Sequence, residues 1–141
     1  MKVKTAETQS DFFQIVRIRA EVFIREQNVD SEIEMDEKDD TAIHCLATYN
    51  HQPAGCLRVL LHDSEVIVGR VAVLKKYRRH HIGKAMMNYV ETLPEVQQRG
   101  KITIHAQLTA KDFYLSCGFT PISDIYLEAG IQHISMEKML K

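Results

Sequence analysis

Apolar residues change their spacing several times along the 141-residue chain, and each change predicts an element. Val3-Lys4-Thr5-Ala6 alternates weakly, as a short strand does. From Ser10, a residue type suited to an N-cap, Phe12, Ile15, Val16, Val22 and Phe23 recur at helical spacing. Arg17, Arg19 and Glu21 lie between them, so an amphipathic helix ending near Arg25 is expected. His44–Tyr49 and Ala54–Leu61 read as strands around the turn-forming Asn50-His51-Gln52-Pro53. Asp63-Ser64 turns the chain into Glu65–Val73, a valine-rich and nearly continuous apolar run of the kind a central strand carries. Ile82, Met86, Tyr89, Val90 and Leu93 return to helical spacing. Pro94 should end or kink that helix, with Glu95–Arg99 adding a further turn before Gly100. Lys101–Gln107 reads as a strand, Thr109–Cys117 as a short helix stopped by Gly118, Phe119 as the start of a strand-like stretch, and Ile131–Met139 as the last strand. The order β-α-β-β-β-α-β-α-β-β predicts an α/β (α+β) protein with a mixed sheet and helices on its faces.

Composition narrows the class. A chain of 141 residues with 45% hydrophobic and 26% charged residues fits a single globular domain, 1–141. A net charge of −1 argues against a dedicated nucleic-acid binder. No run approaches the roughly 18 apolar residues needed to span a bilayer, so no membrane partner is expected. The start, MKVKTAETQSDFF, lacks the apolar core of a signal peptide. Three cysteines, 45, 56 and 117, form no even framework, which suits reduced thiols and a cytoplasmic location. His44, Cys45, His51 and Cys56 repeat no ligand-pair spacing, so no metal is expected. Residues 26–40 carry eight acids against one lysine, which reads as a solvated loop or as an acidic lip that attracts a cationic acceptor.

The informative stretch follows the central strand. Lys75 to Lys84 holds five bases and no acid and opens a helix. Free N–H groups in a first helical turn, with Arg78, Arg79 and Lys84 around them, make a phosphate receptor. Neither GxxxxGK[ST] nor GxGxxG is present. Here the sequence resembles the GCN5-related N-acetyltransferase (GNAT) superfamily, whose Arg/Gln-x-x-Gly-x-Gly/Ala loop cradles the pyrophosphate of acetyl-CoA. Arg78-Arg79-His80-His81-Ile82-Gly83 matches that loop at its Arg and its last Gly, with His81 at the first Gly. Ala110-Lys111-Asp112-Phe113-Tyr114-Leu115-Ser116-Cys117-Gly118-Phe119 is similar to the superfamily's A-x-x-F-Y-x-x-x-G-F segment. Arg19-Ala20-Glu21-Val22-Phe23 with Glu26-Gln27, and Glu128 to Met136, resemble a subgroup of small, stand-alone bacterial acetyltransferases.

The resemblance implies a mostly antiparallel sheet of six to seven strands flanked by about four helices. It implies acetyl-CoA as co-substrate and transfer of its acetyl group to a small-molecule amine by direct attack. Val71 and Val73 would serve the cofactor through their backbone, on a strand splayed from its neighbour and often bulged, with an oxyanion donor around Val73. Arg78, Arg79, His80, His81, Ile82, Gly83 and Lys84 would hold the pyrophosphate. Tyr114 falls at the general-acid position and His133 at a position suited to the base, with Glu26 or Asp36 acting through water as the alternative. Arg19, Arg70 and Glu26 are the candidates for binding the acceptor. A non-catalytic acyl-CoA sensor, suggested by His81, and a protein-modifying acetyltransferase are the other readings. An apolar last strand could also pair across a homodimer.

Overall fold

In the computed structural model, which describes residues 1–141, eight strands form one sheet in the order β1-β2-β3-β4-β5-β8-β6, with β7 also paired to β8. The strands are β1 (Lys2–Thr5), β2 (Ile43–Tyr49), β3 (Gln52–Leu61), β4 (Val66–Val73), β5 (Lys101–Gln107), β6 (Thr120–Pro121), β7 (Tyr126–Glu128) and β8 (Ile131–Met139). Every pairing is antiparallel except β4 with β5. The helices are α1 (Gln9–Arg19), α2 (Ser31–Glu34), α3 (Ile82–Thr92), α4 (Pro94–Arg99) and α5 (Lys111–Ser116). The eighth strand is the excess over expectation. The stretch after Phe119 divides into β6 and β7, two and three residues long, too short to show a period.

Local chemistry sets the boundaries. Thr8, not Ser10, caps α1: its side chain accepts from the Asp11 N–H at 3.0 Å, and Asp11 Oδ2 accepts from the Thr8 N–H at 3.3 Å. This reciprocal box satisfies two donors where a lone serine satisfies one. Asn50 and His51 both take positive φ, 50° and 66°, which suits the right-handed twist of the β2–β3 hairpin. Pro94 sits in the first turn of α4, where its missing N–H costs nothing, and Gly100 ends that helix at φ 74°.

The sheet separates two cores. One face packs α3, α4 and α5 around a cluster including Leu57, Val66, Val68, Met86, Met87 and Phe119. The other packs α1 and a seven-residue π-helical continuation, Ala20–Glu26, through Ile15, Ile18, Val22, Phe23, Leu46, Cys56 and Ala72.

The decisive irregularity is in β4. Cys56 faces Ala72 and Arg58 faces Gly69, so one β3 residue opposes two on β4, and Arg70 takes φ 51°. This bulge shifts the side-chain phase. Val66 and Val68 point to the larger core before it; Val71 and Val73 pack against that core after it, and Ala72 points to α1.

Candidate active site

β4 and β5 are hydrogen-bonded only from Val66–Ile102 to Val68–Ile104, and beyond that rung they diverge. The fork so opened leads into a cleft of about 880 Å³ lined on opposite sides by Phe23, Val71, Ala106, Tyr114, Glu128 and His133. The Leu74 N–H donates to Ala54 on β3, so by strand alternation the N–H and C=O of Val73 point the other way, into the fork. The strand splaying and bulge that the resemblance implied are both present.

At one end of the fork stands the start of α3. Its first intrahelical bond runs from the Ala85 N–H to His81 O, leaving the N–H groups of Ile82, Gly83 and Lys84 without an intrahelical acceptor. They face an approach carrying the exposed Arg79 and Lys84. His81 supplies the left-handed cap at φ 61°, ψ 22°, so a non-glycine residue adopts the conformation usually left to glycine. Gly83 is closely packed: a Cβ there would lie 3.0 Å from Phe113 Cζ on α5, so that ring would have to give way. Ile82 is buried and can offer only its backbone. His80 braces the loop, its Nδ1–H donating to Tyr77 O (3.1 Å) and Arg78 O (2.9 Å) while its ring packs on Tyr49.

Tyr114, packed on Phe113 beside that helix start, and His133 both line the cleft. Tyr114 is 5% exposed and lines the cleft, and burial pushes its phenol well above the usual range. The His133 Nδ1–H donates to Ile131 O at 2.7 Å, leaving Nε2 as the unprotonated nitrogen of the neutral ring, 3.6 Å from a Glu128 carboxylate oxygen. The ring stacks on Tyr126, which fixes its plane.

Three acceptor-side expectations change. Arg19 is fully buried: Nε donates to both Glu34 oxygens (3.1 and 3.0 Å), and Nη1 and Nη2 donate to Asp39 (2.8 and 3.0 Å). It ties α1 to residues 34–39 and does not line the cleft. Arg70 reaches the cleft but is largely committed, its Nε donating to Glu34 and its Nη2 to Glu34 O and Asp36. Glu26 accepts a two-pronged pair from Arg78 (3.2 and 3.0 Å), and Arg78 Nε also donates to Val73 O at 2.9 Å. Arg78 is therefore tied to the end of β4 and to the π-helical segment in this structure rather than free at the helix start.

The acidic segment divides: Glu26, Asp30, Glu32, Glu37 and Asp40 are exposed, while three of its carboxylates are drawn inward. Glu34, Asp36 and Asp39 turn inward onto Arg19, Arg58 and Arg70, three carboxylates against three guanidinium groups. Asp36 is thereby engaged by Arg58 (2.6 and 3.0 Å), whose hydrogen bonds lower its carboxyl below the ordinary value. Burial pushes Asp39 up, but the hydrogen bonds from Arg19 and Arg58 outweigh it and bring the carboxyl down to about 2.

A family model described as an acetyltransferase (GNAT) domain matches residues 5–140. The chain belongs to the GNAT family. Among GNAT relatives, the uncharacterised N-acetyltransferase YjcF of Bacillus subtilis is 30% identical over 98% of this chain and 99% of its own length. Protein ElaA of Escherichia coli is 30% identical over 92% of this chain and 88% of its own length. The crystal structure of ElaA superposes with a TM-score of 0.85 at 26% identity, covering 98% of this chain and 99% of that one. At 14% identity the fold alone is shared with an aminoglycoside 6′-N-acetyltransferase solved with coenzyme A, at a TM-score of 0.75 over 99% of this chain and 97% of that one. The protein is thus a GNAT-fold acetyltransferase homologue with the topology read from its sequence.

Glu128, Gln107, Arg58 and Glu34 also line the cleft, with Asp39 bonded behind Arg58, and the sequence singles out none of them as a site residue. Gln107 ends a well-marked strand and Glu128 opens the segment that resembles the bacterial subgroup; Arg58, Glu34 and Asp39 are brought in by tertiary structure alone.

Proposed function

We propose that the protein transfers the acetyl group of acetyl-CoA to a small-molecule amine by direct attack, without a covalent enzyme intermediate. The observation that carries the proposal is a single cleft that joins the β4–β5 fork to Tyr114 and His133. The helix start at Ile82–Lys84, with Arg79 and Lys84, receives the pyrophosphate, as a helix N-terminus receives anions generally. His81 offers its backbone in the glycine-like conformation, and His80 keeps the loop in shape. The splayed β4 backbone at Val71 and Val73 takes the pantetheine arm, and the Val73 N–H points to where the thioester oxygen becomes an oxyanion. Arg78 must exchange its bond to Val73 O, or its pair with Glu26, to reach a phosphate.

An alkyl ammonium costs about 4–5 kcal/mol to deprotonate at neutral pH. His133 Nε2, aimed into the cleft, takes that proton, and Glu128 is placed to pair with the imidazolium. The free amine then attacks the thioester carbon, the carbon–sulfur bond breaks, and the Tyr114 hydroxyl donates its proton to the leaving sulfur. The burial that raises the phenol also raises a thiolate held beside it, so the two remain matched for transfer.

The test is release of free thiol from acetyl-CoA in the presence of a panel of alkylamines, arylalkylamines, amino sugars and amino-acid amides. His133→Ala is expected to remove the acidic limb of the pH–rate profile. Tyr114→Phe is expected to lower turnover with acetyl-CoA affinity retained. Tight binding of acetyl-CoA without thiol release for any amine would overturn the catalytic reading in favour of a sensor.

A further inference from the structure

Gln107 ends β5 on the open arm of the fork, past the last β4–β5 rung, and lies directly opposite His133 in the β5–β8 register. Opposed residues project from the same face, so the two side chains enter the cleft side by side. Across the cleft stands Gln27, immediately after the π-helical segment. The two amides bond reciprocally: Gln107 Nε2 donates to Gln27 Oε1 at 2.8 Å, and Gln27 Nε2 donates to Gln107 Oε1 at 3.3 Å. Both residues are half-buried, and neither amide bonds to a charged group. A neutral pair with one long bond exchanges for an incoming donor and acceptor at little net cost.

We propose that Gln107 is an acceptor-binding residue and that the Gln27 amide holds its place until the acceptor arrives. Gln107 Oε1 accepts one N–H of the acceptor amine, while the proton that must leave goes to His133 Nε2. This rests on the acetyl-transfer reading above. The neutrality of Gln107 has a chemical purpose. A carboxylate there would bind the ammonium form more tightly and hold the proton on nitrogen, stabilising the ground state against the attack that needs a free amine. An uncharged carbonyl orients the nitrogen without that penalty. Gln27, by contrast, competes with the acceptor for the same oxygen.

The experiment uses the panel amine that the wild-type protein turns over fastest. Gln107→Leu should raise KM for that amine about tenfold, with acetyl-CoA affinity unchanged by calorimetry. Gln107→Glu should lower KM and kcat together and move the pH optimum upward. Gln27→Ala should lower KM about two- to threefold by removing the competitor. An equal rise in KM for Gln27→Ala and Gln107→Leu would overturn the proposal, since the pair would then be only a tether between the cleft walls. So would a Gln107→Glu variant that behaves like Gln107→Leu with no pH shift. If the wild type turns over no amine, the acetyl-transfer reading fails. The side-chain amide signals of Gln27 and Gln107, titrated by NMR with the same amines, then decide this one: selective shifts support it, and unmoved signals overturn it.

Discussion

Replacing Asp39 by Asn tests the idea that inward-facing ion pairs, rather than an apolar core, hold the wall of the cleft. Asp39 accepts from Arg19 at 2.8 and 3.0 Å and from Arg58 at 2.9 Å, and both arginines are almost wholly buried. With Glu34, Asp36 and the half-buried Arg70 the cluster is formally neutral; Asp39→Asn leaves three cations against two anions, with Arg19 and Arg58 out of water. Removing one member of a buried pair costs about 3–5 kcal/mol, because the remaining charge keeps its desolvation penalty. Asn keeps one acceptor oxygen, so about 3 kcal/mol is expected. That is a large part of the roughly 7–20 kcal/mol total for a chain of this size. With a urea slope of ~1–3 kcal/mol per molar, the midpoint should fall by about 1–3 M at unchanged slope. Urea titration followed by circular dichroism measures it directly. Glu21→Gln is the internal control, because its pair with Arg25 is exposed and of i,i+4 type, worth at most about 0.5 kcal/mol. The double change Asp39→Leu with Arg58→Met removes one charge of each sign and should recover at least half the loss. A loss below about 1 kcal/mol for Asp39→Asn would refute the reasoning, since the cluster would then be solvated.

Other outcomes follow from single residues. His81→Gly should stabilise the fold by up to about 1 kcal/mol, as relief of left-handed strain exceeds glycine's added unfolded-state entropy, and should leave acetyl-CoA affinity intact; denaturant titration and calorimetry check the two halves, and a lost affinity would mean that the imidazole itself touches the ligand. Acid unfolding provides the second check. The Asp39 carboxyl lies near 2 when folded and at about 3.8 when unfolded, so the unfolded chain binds more protons between these values. Its contribution, of order 1–2 kcal/mol after solvent screening, is complete above about pH 4 and disappears as pH falls toward 2. Asp39→Asn should flatten that part of a stability-versus-pH curve, and an unchanged curve would remove Asp39 as its source.

The parts of the fold governed by local pattern were legible. β5 and β8 were read to the residue, because alternation and flanking glycines bound them. Pro94 and Gly100 framed α4 by their backbone chemistry alone. What was hidden depends on groups distant in sequence. Arg19 reads as a polar position on an amphipathic helix, and only the return of residues 34–39 onto it turns a surface residue into a buried one. The bulge puts its positive φ on Arg70 rather than on the neighbouring Gly69, and that lone glycine inside a valine-rich strand is the only sequence sign of a feature that decides which way Val71 and Val73 point. The division of the acidic segment was hidden for the same reason as Arg19: charge counted along a chain does not say which carboxylates turn inward and which stay exposed. The positions of Tyr114 and His133 were legible through their motifs, whereas Gln107 entered the cleft by strand register.

The account stands most directly on acetyl-CoA binding at the start of α3. Calorimetric titration of acetyl-CoA into the wild type, Gly83→Ala and Gly83→Glu separates the elements of that claim. Alanine and glutamate place the same Cβ 3.0 Å from Phe113, but only glutamate adds a negative charge at the anion site. The prediction is one molecule bound per chain by the wild type, weaker binding by Gly83→Ala, and far weaker binding by Gly83→Glu. No binding by the wild type, or equal affinity for the two variants, would contradict it.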